Sequence, residues 1–549
     1  DTAFLKGSGI VNITVNEQQV KNLTMLCQVW GFVKYHLPDV AKGNVNMDAE
    51  LFRVMPSVIK AQNNAGASAA IEQWMDKLGA PERCSGCHAF NEKDVNQKPA
   101  YGEIFDKSVV SSSLVDKLTY ILNNSGNSKS YYIGMAGGVG NPEFKNELSY
   151  STMTYPDLGY RLLALFRYWN MIQYFYPYKH LIGRDWNTAL PEFIPRFIEA
   201  KDAEAYDLAA MALISSIHDT HANIWSTLTG LEAYRGKYAP PFQAKFIEDK
   251  LVVTAFYNDT LAVKDKIKIG DIITTINGTH VEELIKRYLP LTAASNYTTQ
   301  LRDMPRNYLL RSSNLNFAFE IIRDGKTIKV EQDGIANTKI NYASVYNPNP
   351  KEPGYHLIDN QIGYLYPGKY FNKDLPAIKE MFKGTKGIII DMRCYPSEFM
   401  PFTFVPYIKS GDARFVKFTF GSVLYPGLFL SGQPLEIKAS NEYKGKVVVI
   451  VNEEAQSQAE YTTMAFQSSP NVIVIGSITA GADGNVSQIT LPGGISTLIS
   501  GLGVLYPDGT ETQRKGVKID EQVNPTIAGI KAGRDELLER AKAIIMAGS

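Results

Sequence analysis

The chain has 549 residues, of which 44% are hydrophobic, 20% charged and 11% aromatic. This is the composition of a folded protein with a sizeable core, long enough for roughly three or four domains of ~100–200 residues. Lys plus Arg and Asp plus Glu both total 56, which gives no electrostatic support for a nucleic-acid partner or an anionic membrane surface. No apolar run approaches the ~20 residues that span a bilayer.

Residues 1–236 carry an internal duplication. LCQVWGFVKYHLPDV from Leu26 aligns with LFRYWNMIQYFYPYK from Leu165. Trp30 pairs with Trp169, Tyr35 with Tyr174, Pro38 with Pro177, Pro56 with Pro195 and Ile59 with Ile198, always at a separation of 139 (169 − 30) and without a gap. Each copy reads as an amphipathic helix, a proline-marked turn and a second helix, so each is expected to form a helical hairpin. Between the copies, Gly126–Tyr155 is rich in Gly, Ser, Asn and Tyr and reads as loops with short strands.

The copies diverge at their ends. The first runs into Cys84-Ser-Gly-Cys87-His88, the sequence form of covalent haem attachment. A single copy with no candidate axial methionine in a small cytochrome-like domain favours a local disulfide or a structural metal pair instead. Cys27 and Cys394 read as small buried residues. The second copy ends in His218-Asp219-Thr220-His221 and a strand-like Ala222–Thr227. A surface turn with a dipole-favoured histidine is the plain reading. The two histidines have no third ligand in reach of a metal motif. A general base is the chemical reading, with Asp219 or Thr220 orienting the ring.

From Ala239 to about Asp333 the pattern becomes β. Phe242–Phe246 and Leu251–Phe256 flank Glu248-Asp249 as a hairpin, an amphipathic helix follows at Val281–Leu289, and a second hairpin turns at Asp324-Gly325. Residues 340–549 read as α/β. A strand at Ile362–Tyr366, a helix at Asp374–Phe382 and a buried strand at Gly387–Arg393 that ends in charge lead to Lys446–Gly476, which reads as strand, helix and returning parallel strand. Ile489–Leu505 shows apolar alternation with glycines, and a final helix is expected over Ala532–Met546. Ser457 falls where the first strand of the βαβ unit hands over to its helix, the end of an open sheet at which ligands bind. Taken alone, Ser457 and Glu460 make a capping box. The same serine also stands beside unpaired N–H groups at a helix start, a setting suited to a developing oxyanion.

Gly270-Asp271, Ile273, Ile276 and Asn277-Gly278 match the signature of PDZ domains, which take an extended peptide by strand addition. Helical region, PDZ-like module and βαβ core with a helix-start serine, in that order, resemble the C-terminal processing (tail-specific) serine peptidases and their tricorn-like relatives over about residues 157–549. The resemblance implies a multidomain α+β protein: residues 1–156 with the first repeat, 157–236 with the second and His221, a PDZ-like domain at 237–338, and an α/β serine peptidase core at 339–549. It implies Ser457 as nucleophile, His221 as base, Thr220 as the hydroxyl residue before it, and Gln513 where the family has a glutamate. Backbone N–H groups of Gln458 and Tyr395 are the oxyanion candidates, because Cys394-Tyr395-Pro396-Ser397 replaces the family's glycine turn. Ile267, Gly270 and Asp271 are the expected peptide-binding positions. Ala482 stands in the place of the processing peptidases' lysine, so a Ser–Lys dyad there is ruled out. A peptide or protein substrate, no cofactor, no metal and possible oligomer formation follow from the same resemblance. Together with the start at Asp1, it implies an extracytoplasmic setting. The competing class is a retired peptidase fold that binds a peptide, lipid or glycan.

Overall fold

The computed structural model describes residues 2–547, except 88–89, 127–128, 258–260 and 344–349. The helical region opens with α1 (Glu17–His36), α2 (Met47–Lys60) and α3 (Asn64–Leu78), and repeats as α4 (Leu158–Phe175), α5 (Ala189–Glu199) and α6 (Ala203–Ser215). The duplication therefore reaches a third helix, whose caps Asn63 and Asp202 again lie 139 apart (202 − 63). Equivalent residues do equivalent work. The Trp30 indole donates to the carbonyl of Met47 at 2.8 Å, and that of Trp169 donates to the carbonyl of Trp186 at 3.1 Å. Where α1 crosses α4, the two copies meet through their own counterparts. The Tyr35 and Tyr174 rings sit 5.7 Å apart edge to face, and Gly31 faces Asn170. The copies share one core, which also holds Ile489, Leu491, Ile495 and Ile499 from the far end of the chain. Buried within it, Lys34 and Arg167 pair with Glu147 and Asp48 at 2.5–2.8 Å. A network of this kind adds little net stability, but removing one member costs about 3–5 kcal/mol by leaving a buried charge alone.

The β module is an antiparallel sheet of β1 (Phe242–Ile247), β2 (Lys250–Phe256), β3 (Ile272–Ile276), β4 (Asn316–Arg323) and β5 (Lys326–Asp333) in the order β5-β4-β3-β2-β1. Both expected hairpins form, with Glu248 and Asp249 at positive φ in one turn and Asp324 and Gly325 in the other, as two-residue loops require. Helices α7 (Val281–Tyr288) and α8 (Tyr297–Met304) accompany the sheet.

The α/β core is a sheet of β6 (Tyr355–Ile358), β7 (Ile362–Leu365), β8 (Gly387–Asp391), β9 (Lys446–Val451), β10 (Val472–Gly476) and, after the hairpin β11 (Val486–Leu491) and β12 (Ile495–Ser500), β13 (Glu521–Gln522). All neighbours are parallel except β6 and β7. The period of two sorts the side chains between faces. Val447, Val449 and Val451 pack against the helix Gln458–Gln467, here α9, while Val448 and Ile450 pack against the terminal helix α10 (Glu536–Ala547). Each fully buried Val or Ile contributes ~1.5–3 kcal/mol. Two expectations are corrected. The terminal helix begins at Glu536 and not Ala532, because Gly533 turns the chain at φ +68°. Ala222–Thr227 is not a strand; it makes only a bridge from Ile224 to Thr497. Among the described residues no helix is long and apolar enough to cross a membrane.

Candidate active site

Ser457 links β9 to α9 at φ +56° and ψ −117°. An ordinary N-cap has extended backbone angles and turns its oxygen onto the helix. Ser457 departs from the first of these, and a non-glycine residue in this region of φ/ψ carries about 1–3 kcal/mol of strain. Sharp strand-to-helix turns of this kind expose a nucleophile. The strain is held by Glu460, whose carboxylate accepts from the N–H groups of Ser457 (3.1 Å), Gly481 (2.8 Å) and Ala482 (3.0 Å) and from the Thr479 hydroxyl (2.5 Å). Burial pushes the Glu460 carboxyl up against the pull of these donors. The expected capping box between Ser457 and Glu460 is present. Gly476 must be glycine, since a Cβ there would meet the Val451 carbonyl at 1.8 Å.

The segment Ala480–Ala482 joins this turn to the helical region. The Ala482 carbonyl accepts from Ser457 N–H at 2.9 Å, and the Ala480 carbonyl accepts from the Thr220 hydroxyl at 3.0 Å. His221 follows Thr220 and is buried, with Nδ1 2.8 Å from the Ser500 hydroxyl. That hydroxyl donates to the Asp219 carboxylate at 2.8 Å, which also accepts from Ser500 N–H at 2.6 Å and from the Gln513 amide at 3.3 Å. Burial pushes the imidazole below its ordinary 6.5, with the Asp219 charge acting in the opposite direction. The Ser457 hydroxyl and His221 Nε2 make no hydrogen bond to each other, and catalytic bonds are often open in the absence of substrate.

Sequence reasoning assigns Thr220 and Gln513 to the histidine. In the structure Thr220 bonds Ser295 and Ala480, and Gln513 bonds Asp219, so neither hydrogen-bonds the ring. Ser500 is the residue that the sequence does not announce; it is a plain serine at the end of β12. The N–H groups of Gln458 and Tyr395 donate to no described residue, and Tyr395 is exposed. The proposed peptide-binding positions have structural places. Ile267 is fully buried, Gly270 turns beside Lys531, and Asp271 is closed by a two-bond pair with Arg323 at 2.7 Å.

A cleft of about 510 Å³ opens beside the turn, lined by Thr220, Tyr395 and Gln456 from the site and by Phe242, Lys245 and Arg302 from the β module. Lys245 pairs with Glu454 at 2.9 Å, while Arg302 donates to the Glu453 carbonyl at 2.7 Å and to Gln456 Oε1 at 3.1 Å. The module thus braces the loop that leads into Ser457. Cys84 and Cys87 form a disulfide, which occupies both thiols of the haem-like motif; His88 lies outside the described residues. Among the described residues no group of His, Cys, Asp or Glu could hold a metal ion.

Residues 419–523 match the model of Peptidase family S41. Among solved structures, mature CPAF complexed with lactacystin is 13% identical, with a TM-score of 0.54 over 71% of this chain and 98% of that one. Mature CPAF is 12% identical, with a TM-score of 0.53 over 71% and 96%. The photosystem II D1 C-terminal processing protease is 14% identical over 66% and 93%, with a TM-score of 0.39. No curated protein matches. Residues 419–523 are thus similar to peptidase family S41, and the chain shares its fold with mature CPAF over 71% of its length.

Proposed function

We propose that the chain is an endopeptidase that cleaves peptides or unfolded protein tails through an acyl-enzyme on Ser457. The observation that carries this is the strained turn at Ser457, a non-glycine residue held at φ +56° where the strand hands over to the helix. In the proposed reaction His221 Nε2 takes the hydroxyl proton as Ser457 Oγ attacks the scissile carbonyl carbon. The N–H groups of Gln458 and Tyr395 hold the oxyanion, aided by the positive end of the α9 dipole. The intermediate collapses as His221 returns the proton to the leaving amine, and water then enters by the same route to release the acid. The PDZ-like module delivers extended substrate to the cleft and fixes the loop before Ser457. The Cys84–Cys87 disulfide supports an oxidising, extracytoplasmic setting.

Ser457→Ala tests the assignment on fluorescein-labelled casein. Turnover is expected to vanish with the circular dichroism spectrum unchanged. Cleavage at the parent rate by the alanine variant refutes the nucleophile and leaves the binding protein as the better reading.

A further inference from the structure

We infer that Asp219 and Ser500 form a carboxylate–hydroxyl relay that fixes the tautomer and orientation of His221, with the carboxylate supplied from two residues before the histidine instead of from position 513. The inference rests on the reading of Ser457 as nucleophile and His221 as base.

The geometry dictates the direction of each proton. Asp219 is fully buried, and its partners are donors: Ser500 N–H at 2.6 Å, the Ser500 hydroxyl at 2.8 Å, the Gln513 amide at 3.3 Å and His221 N–H at 3.2 Å. A carboxylate only accepts. The Ser500 hydroxyl hydrogen is therefore committed to Asp219, and the Ser500 lone pair is what faces His221 Nδ1 at 2.8 Å. Nδ1 must then carry the proton, which leaves the Nε2 lone pair free to act as base. Asp219 itself lies 3.7 Å from Nδ1, too far for a direct bond, so the hydroxyl is needed to complete the link.

Placement of the relay explains the neutral residue at 513. A second carboxylate there would face Asp219 in a dry site, and like charges so close cannot both remain ionised. Gln513 instead donates to Asp219 and holds it. Charged groups around the relay are few. Asp219 is the charge that acts on the imidazole, and the buried phenols of Tyr168, Tyr176 and Tyr178, each pushed up mainly by burial, face Asp219 as neutral groups. Ser500 arrives because Trp225 N–H donates to the Ser496 carbonyl at 2.9 Å and Ile224 bridges Thr497, which registers β12 against the chain leaving His221.

The test compares the parent with Asp219→Asn, Ser500→Ala, Ser500→Thr and the double variant Asp219→Asn/Ser500→Ala. Each is assayed for kcat/KM on labelled casein between pH 5 and 9. Removing a buried carboxylate behind a base costs on the order of 10⁴ in kcat elsewhere; with a hydroxyl interposed, ~10²–10³ is expected for Asp219→Asn. Ser500→Ala should lose ~10–10², Ser500→Thr should regain most of that, and the double variant should fall little below Asp219→Asn because the two act as a unit. Loss of the Asp219 charge should also move the acid limb of the profile to lower pH, a shift that loosened packing would not produce. Parent-like kcat and pH profile in Asp219→Asn overturn the relay, even with Ser457→Ala inactive. If Asp219→Asn fails to fold, Ser500→Ala and its threonine rescue decide. Should Ser457→Ala retain activity, the peptidase mechanism itself fails, a distinguishable result.

Discussion

At Ser457 a single residue holds a conformation that its side chain does not favour. A helix cap could be supplied by an extended serine at no cost, whereas this one is twisted to φ +56° and locked by Glu460 through its own N–H. Serine at this position and glutamate three residues on were legible in the letters, because both lie within one turn. Asp219 was legible as a candidate partner of the ring, but its link to Ser500 was not, since 281 residues separate the two and Ser500 stands in no motif. The bond from Gln513 to Asp219 was not legible for the same reason: alignment with an acidic position says nothing of which neighbour its amide reaches. The His221 environment gives a pH prediction. Burial favours the neutral ring, so the folded pKa lies below the ordinary 6.5 and the base form persists into mildly acidic solution. Activity should therefore rise with pH through a midpoint below 6.5 and then level off, as read from kcat/KM against pH. A midpoint above 6.5 would show that the acting base is another group.

Among the elements, the paired helices show what periodicity and repetition carry. Aromatic and proline positions repeat because the same indole-to-carbonyl bond and the same helix crossing are built twice. The third helix of each copy escaped notice, since α3 and α6 share their cap position but few side chains. At the crossing, Gly31 and its counterpart Asn170 have taken opposite roles, one giving space and the other filling it. A Cβ on Gly31 would lie 1.8 Å from Asn170 Oδ1. Gly31→Ala should destabilise the helical region by about 1–3 kcal/mol through overpacking, seen as a lower thermal midpoint. Adding Asn170→Ala should recover part of that loss. No change in midpoint for Gly31→Ala would mean that the two helices do not cross so closely. The strand-like 222–227 segment failed as a strand because one bridge to β12 replaces a ladder.

Across the whole molecule, the proposed site draws on segments far apart in sequence. The helical region contributes His221, the α/β core contributes Ser457, and the hairpin β11–β12 lies in the helical core while ending at Ser500. The β module reaches the same place through Arg302 and Lys245. Fold class followed from the order of patterns along the chain, but this convergence did not, because it is made by hydrogen bonds between segments far apart in sequence. Arg302→Ala removes the brace on residues 453–456 and leaves Asp303 without its cation. A displacement of about 1 Å at a nucleophile can cost 10²-fold, so kcat should fall by ~10–10² with the circular dichroism spectrum kept. Unchanged kcat would show that the module does not position the turn.

The central claim is that the Ser457 hydroxyl is a nucleophile. Its most direct measurement is mass spectrometry of the full-length chain after treatment with a fluorophosphonate probe. The account predicts one phosphonyl adduct, mapped to the peptide bearing Ser457 and absent from Ser457→Ala. A folded parent chain that stays unlabelled, or an adduct mapped to another serine, contradicts it.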